Sequence, residues 1–366
     1  MNPLRAAPST PEVGSHARTG GAAENRAEDH FNRKRFSQIV AHFRDDVQSK
    51  WGDWVCGYTP LVTSLGFAHG ARNSERVHLE LGSGHGALAC ALKFRFGLGK
   101  VVGCDVEPQA VQESTRRAEA MSKVLGLAPP LFHLIGRGEG LPFPSETFTS
   151  ASCCFVLSGA VGTPEAQLSF LRNVAAVLRP GGKFAFCVNN PATVGTRFTS
   201  LRLELSASRQ KAANPNNPNP PAQEEREGQG AEEGDSSSGE QNKLKTGQKM
   251  TAVFYDTSGE PYLRCNDKWW PRDHYEALMK QAGFEDVISS ATPFGPEDEE
   301  AARLLGIPVD DFSPDAPERL VSPVLLVVGR KAMAGSDSDG DGDGSSGNNR
   351  PSLEEEKTFE VKRRKI

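Results

Sequence analysis

Val77-His78-Leu79-Glu80-Leu81 runs without a break into Gly82-Ser83-Gly84-His85-Gly86-Ala87. The first five residues read as a strand, and the glycines turn the backbone tightly into a helix running from Ala87 to Phe96. Such a turn lets a ligand touch main chain, and the free N–H groups at the helix start favour an anionic or carboxylate group. The same residues also satisfy the G-x-G-x-x-[GA] pattern of dinucleotide sites. Taken alone, the loop therefore leaves three readings open: a dinucleotide, another nucleoside-bearing ligand, or a glycine turn with no ligand at all.

Further along, Val101-Val102-Gly103-Cys104-Asp105 ends a second strand in an acid, about twenty residues beyond the loop. An acid at that place accepts hydrogen bonds from ribose hydroxyls; it can equally cap the helix that follows, Glu107 to Leu125, which Gly126 and Pro129-Pro130 stop. Strands are predicted over Leu131–Ile135, Thr149–Val156 and Lys183–Val188. Between the last two, Thr163-Pro164 caps a helix with Leu168, Leu171, Val174 and Leu178 on its buried face. Another helix with Tyr275, Leu278 and Met279 on one face opens at Trp269-Trp270-Pro271 and closes at Gly283. The stretches Phe284–Ser289 and Val324–Gly329 complete seven strands. Alternation at this pitch predicts an α/β fold, a doubly wound and mostly parallel seven-stranded Rossmann-like sheet.

The rest of the chain is less ordered in composition. Only 37% of the 366 residues are hydrophobic, and many of the 37 Gly and 25 Pro sit in low-complexity runs. We expect a disordered tail over 1–29, one domain made of 30–205 and 249–332, a disordered insertion over 206–248 and a disordered acidic and basic tail over 333–366. In the domain, Phe31, Phe36, Ile39, Val40, Phe43, Val47, Trp51 and Trp54 recur at helical spacing ahead of the first strand. The formal charge of −5 offers no general attraction to nucleic acid or anionic membrane, and no apolar run is long enough to span a bilayer. Seven cysteines show neither C-x-x-C nor zinc spacing, so no metal site is expected; reduced thiols point to an intracellular, cytoplasmic protein. The terminal Lys362, Arg363, Arg364 and Lys365 would suit nuclear import.

Four landmarks fall in order: Glu-x-Gly-x-Gly-x-Gly at 80–86, Gly103-Cys104-Asp105-Val106, Leu141-Pro142-Phe143-Pro144, and Leu178-Arg179-Pro180-Gly181-Gly182-Lys183. Together they resemble the class I S-adenosylmethionine (SAM) dependent methyltransferases, in particular the branch acting on small molecules and quinone-type lipids. The resemblance covers residues 75–190 well and Trp269 to Gly329 more loosely. It implies a SAM cofactor and a small organic methyl acceptor. By position, Glu80 would orient the methionine amino end, with Gly82, Ser83, Gly84 and Gly86 giving backbone approach. Asp105 would bind the ribose, Val106 the adenine, Gly138 and Glu139 would line the adenine pocket, and Phe155 would lie near the transferred methyl.

Two positions depart from the family pattern: Gly136-Arg137-Gly138 where Gly-Asp-Ala is common, and Thr147-Phe148-Thr149 where Ser-Phe-Asp is common. The first removes an expected acceptor for the adenine amino group unless Glu139 substitutes. Methyl transfer from a sulfonium depends chiefly on in-line alignment, so no single catalytic residue is dictated. His274, Tyr255 and Asp256 are the candidates, each also readable as a structural or solvated residue, and His85 reads as packing or solvent-facing. Trp51, Trp54 and Tyr58 suit a lid over the cofactor, or a helix packed on the sheet edge. Asn189-Asn190-Pro191 follows the fifth strand, not the fourth, which rejects a base-methylating Asn-Pro-Pro signature. Asp337-Ser338-Asp339-Gly340-Asp341-Gly342 imitates a calcium loop, but Asn348 stands where such a loop needs Glu. The alternatives to a small-molecule enzyme are a protein or RNA methyltransferase and a catalytically silent SAM-binding protein. An NAD-dependent oxidoreductase would leave the two proline-marked turns unexplained.

Overall fold

The strand that leads into the glycine loop, β1 (Val77–Leu81), is buried along four of its five residues. A strand covered on both faces must carry side chains that both cores accept, which is the condition of a central parallel strand. The computed structural model describes residues 58–67, 73–198, 201–205, 244–255, 258–291, 295–304 and 320–333. Within them β1 lies between β2 (Lys100–Asp105) and β4 (Phe148–Cys154), parallel to both. With β3 (Leu131–Leu134), β5 (Leu178–Asn189), β9 (Phe284–Ser290) and β10 (Val324–Lys331), the sheet has the order β3-β2-β1-β4-β5-β10-β9. Only β10 runs antiparallel to its neighbours. The mostly parallel seven-stranded sheet expected from the sequence is present.

The order turns about β1: β2 and β3 build outward on one side, β4 and β5 on the other. Loops leaving the ends of β1 and β4 therefore diverge, opening a crevice at the carboxyl edge of the sheet. Helices α2 (Ala87–Phe94), α3 (Pro108–Leu125) and α4 (Pro164–Val177) carry the crossovers. Thr163 caps α4, its hydroxyl accepting from the Ala166 amide at 3.3 Å, and Gly126 in the left-handed region ends α3. One core joins Leu79, Leu81, Phe148, Phe184 and Phe186 to Leu171 and Val174 of α4 and to Leu278 and Met279 of α5 (Arg272–Gln281). The other joins Val101, Ala185 and Cys187 to Leu88 and Leu92 of α2 and to Leu61 and Val62 of α1 (Thr59–Ser64). Each fully buried Leu or Phe contributes about 1.5–3 kcal/mol, so these two layers dominate the stability of the sheet.

Polar side chains also lie inside it. His78 is wholly buried, hydrogen-bonded to Ser150 Oγ at 2.9 Å and Ser152 Oγ at 2.8 Å on β4, with Phe67 edge-on. Burial pushes its pKa down to about 3, so it is a neutral strut between β1 and β4.

Three features differ from the sequence expectation. The fifth strand starts at Leu178, not Lys183, because Leu178 already pairs with Phe148 once the helix stops at Val177, and the Pro180-Gly181-Gly182 turn, with Gly181 at φ 73°, bulges out before Lys183 pairs with Ser150. A further helix, α6, spans Pro296–Leu304. Most consequential is a second sheet, antiparallel, of β6 (Leu201–Leu205), β7 (Gln248–Tyr255) and β8 (Pro261–Trp269) in the order β6-β7-β8. Leu201, Leu203, Met250 and Ala252 cluster on it with Val194, Phe254, Cys265 and Trp269 packed against them. The expected aromatic helix at Phe31–Trp54, Asp256, most of the 206–248 insertion and the two tails, apart from Met333, lie outside the described residues. Among the described residues no helix is long and apolar enough to cross a membrane.

Candidate functional site

The glycine loop is held from below by the neighbouring strand. The amides of Gly82 and Ser83 both donate to Cys104 O, at 2.8 and 3.0 Å, and Gly86 N donates to Ser83 O at 2.8 Å. Asp105, 6% exposed, then takes the Gly84 amide at 2.8 Å and the Glu107 amide at 3.0 Å. Its carboxylate thus fixes the loop and meets the residue that opens α3, the capping role the sequence allowed. Burial raises its pKa against the opposing pull of the Gly84, Glu107 and Val106 amides.

Two of the glycines are demanded by space. Gly82 and Gly86 both sit at positive φ, 68° and 76°. A Cβ on Gly82 would overlap Val156 Cγ2, and one on Gly86 would stand 2.7 Å from Ser114 Cβ and 2.9 Å from Phe132 Cζ.

Beneath the loop, Glu80 is 5% exposed and its Oε2 has no hydrogen-bond partner; Ser83 Oγ, also buried, has none either. Burial pushes the Glu80 carboxyl up to about 8, the Ala89 amide opposing and the Asp105 charge adding to the rise. A buried carboxylate oxygen left without a donor costs on the order of several kcal/mol when ionised. Oxygens in that state, at the mouth of a loop whose amides open a helix, fit a ligand that brings its own ammonium and hydroxyl donors.

The loop after β4 closes the other side of the crevice. Among the described residues Phe155 is one of three non-glycine residues at positive φ, 57°, and its amide donates to Cys187 O on β5 at 2.8 Å. The next side chain, Val156, abuts Gly82. From there the loop is gripped by residues remote in sequence. Gln167 Nε2 donates to Leu157 O at 2.7 Å, Trp270 Nε1 to Ser158 O at 3.4 Å, and Lys268 Nζ to Gly162 O at 2.6 Å.

The structure brings Glu80, Gly82, Ser83, Gly84, Gly86 and Asp105 into one loop-and-strand assembly. Val106 is half-buried beyond it; Gly138 and Glu139 are exposed, with the Glu139 carboxylate folded over Gly136. Arg137, the departure from the family pattern, turns to Glu107 at 3.0 Å. The other candidates are engaged elsewhere. His274 stacks on Trp270 at 4.6 Å and meets Gln167 Oε1 through Nε2 at 2.7 Å, and burial lowers its pKa. Tyr255 is buried under the Arg197 guanidinium. Sequence reasoning missed Asp267 and Asn189, which join the two sheets, and Ser158 and Gln167, which tie the loop after β4 to Trp270 and His274; contacts between residues so far apart leave no local pattern.

Residues 79–186 match the family described as Methyltransferase domain. Those residues form a methyltransferase domain. It is an enzyme, and its cofactor is SAM; the orphaned oxygens of Glu80 and Ser83 are suited to the ammonium and hydroxyl groups that SAM carries. No curated protein matches the chain in sequence. Among solved structures it is similar to one from Haloferax volcanii, a complex between the Trm112 methyltransferase activator and a methyltransferase (17% identity, 81% of this chain and 98% of that one, TM-score 0.45). It is also similar to the CcbJ methyltransferase from Streptomyces caelestis (17% identity, 77% and 95%, TM-score 0.44). A third likeness is to an S-adenosylmethionine-dependent methyltransferase from Clostridium acetobutylicum (11% identity, 84% and 99%, TM-score 0.41).

Proposed function

We propose that this methyltransferase moves the methyl group of SAM to O, N or C of a small organic acceptor. In this reading Glu80 receives the ammonium of the methionine end and Gly82, Ser83, Gly84 and Gly86 line its path. Asp105 receives the ribose hydroxyls, Val106, Gly138 and Glu139 border the adenine, and Phe155 stands beside the methyl. The observation that carries the donor half is the partnerless Glu80 Oε2 at the base of the loop. With Arg137 drawn to Glu107, Glu139 is the acid left over Gly136 to accept from the adenine amino group.

For the acceptor half, support comes from the second sheet. Its Asp267 and Trp269 reach the ends of β4 and β5, through Ser158, Asn189 and Pro191, and the side they share with Leu203, Met250, Ala252 and Cys265 is largely apolar. Apolar walls with a few polar anchors are the usual lining of a small-molecule site. The charge of −5 favours such an acceptor over a nucleic-acid duplex.

The experiment is methyl transfer from SAM carrying a radiolabelled methyl, offered in parallel to a small-metabolite extract, a protein extract and total RNA. Label entering the metabolite fraction is expected, and its loss in Asp105→Ala would tie it to this site. Label entering only protein or RNA would overturn the acceptor class. A wild type that binds SAM and labels nothing would make the chain a silent binder.

A further inference from the structure

Alignment, not proton transfer, governs displacement at a sulfonium methyl. Whatever sets the position of the loop after β4 therefore sets the rate. That loop, residues 155–162, touches the cofactor loop at one end, where Val156 meets Gly82. At the other end it meets the end of β8 and the residue just beyond, where three of four consecutive residues reach the loop and the fourth reaches the segment after β5.

Those four residues act in different ways. Asp267 is 7% exposed and takes two hydrogen bonds, from Asn189 Nδ2 at 2.6 Å and from the Lys268 amide at 2.8 Å, while the neighbouring Ser158 hydroxyl favours its charged form. Lys268 reaches Gly162 O, Trp269 Nε1 reaches Pro191 O at 3.2 Å, and Trp270 reaches Ser158 O. Gly159 passes so close that a Cβ there would stand 3.4 Å from Asp267 Oδ1. Of these contacts only the one through Asp267 ties a side chain of the loop, Ser158, to a side chain of β5, Asn189. It fixes the loop against the sheet and against β8 at once.

We propose that Asp267 is a positioning residue, a clasp that transmits the placement of the three-stranded sheet to the methyl-transfer loop. The proposal rests on the SAM site described above. A buried carboxylate is stable only while its donors stay in place. Asn189, the loop packed on Asp267 at Ser158 and Gly159, and β8 therefore move together or not at all. An acceptor seated against the second sheet would in this way reset the loop that faces the methyl.

Trp270, bonded to Ser158, reports on that loop without any acceptor. The protein has four tryptophans, so 5-fluorotryptophan labelling gives four fluorine resonances, with Trp270 assigned by Trp270→Phe. S-adenosylhomocysteine is expected to shift the Trp270 resonance in the wild type. In Asp267→Asn the nucleoside should bind within about threefold of the wild-type affinity by calorimetry, while the Trp270 shift disappears. Ser158→Ala, a smaller change that keeps the fold, should behave the same way. Either variant keeping the full Trp270 shift on binding would overturn the clasp. A wild type that binds no S-adenosylhomocysteine would instead overturn the cofactor site beneath it.

Discussion

Two buried carboxylates, roughly one at each side of the crevice, are treated oppositely. Glu80 under the glycine loop keeps an oxygen with no donor, whereas both carboxylate oxygens of Asp267 at the end of β8 have one. A buried carboxyl oxygen without a donor is a cost that a ligand able to supply one would relieve. In the proposed reading the difference separates a group held open for a ligand from a group that holds the protein itself together. That reading also divides the molecule into a donor half, built on β1 and β2, and an acceptor half, built on β8 and the loops it grips.

The sharpest way to break that division is at Asp105, which holds the loop and, in the proposed reading, the ribose. Asp105→Ala removes the acceptor of the Gly84 and Glu107 amides and would remove that of the ribose hydroxyls. SAM affinity should fall about 100-fold, read by calorimetry. Asp267→Asn, by contrast, should leave it nearly untouched.

Next in size is Gly86→Ala, which adds a methyl against Ser114 and Phe132 at a residue with φ of 76°. Unfolding stability should drop by about 2–4 kcal/mol in denaturant titration. A change below about 0.5 kcal/mol would mean that the loop relaxes freely.

Glu80 yields a test in pH. Its folded pKa of about 8 lies above the ordinary 4.5, so the folded protein holds a proton that the unfolded chain has lost between those values. Wild-type stability without ligand should therefore fall, relative to Glu80→Gln, as pH rises from 4.5 to 8. A ligand ammonium reverses the preference. Binding of S-adenosylhomocysteine between pH 5 and 8 should release up to one proton, seen as a buffer-dependent heat, and Glu80→Gln should abolish it.

The smallest effect is expected at His274. His274→Phe keeps the stack on Trp270 and loses the bond to Gln167. The cost should be about 1 kcal/mol of stability, with cofactor affinity unchanged.

The two halves were unequally readable in the sequence. In the donor half every element is local: Val77–Leu81 is followed at once by its loop and helix, and Asp105 lies at the end of the next strand. Glycines forced by positive φ mark the place, and the partnerless Glu80 sits two residues before the first of them. In the acceptor half the pairing is non-local. β6 ends at Leu205 and finds its partner β7 only at Gln248, across a polar stretch that carries no pattern of its own. Asp267 pairs with Asn189, far back in the chain, so neither residue looks unusual in its own neighbourhood. His274, singled out by residue type, instead braces Gln167, whose own amide holds the loop after β4.

The central claim is that the glycine loop holds SAM with Glu80 facing its ammonium. A thermal-shift series with S-adenosylhomocysteine and NAD, on the wild type and Glu80→Gln, tests it most directly. The account predicts that the nucleoside stabilises the wild type by about 2.7 kcal/mol at a hundredfold excess over its dissociation constant, and Glu80→Gln far less. NAD should give no shift. Stabilisation by NAD alone, or equal stabilisation of both proteins by the nucleoside, would contradict it.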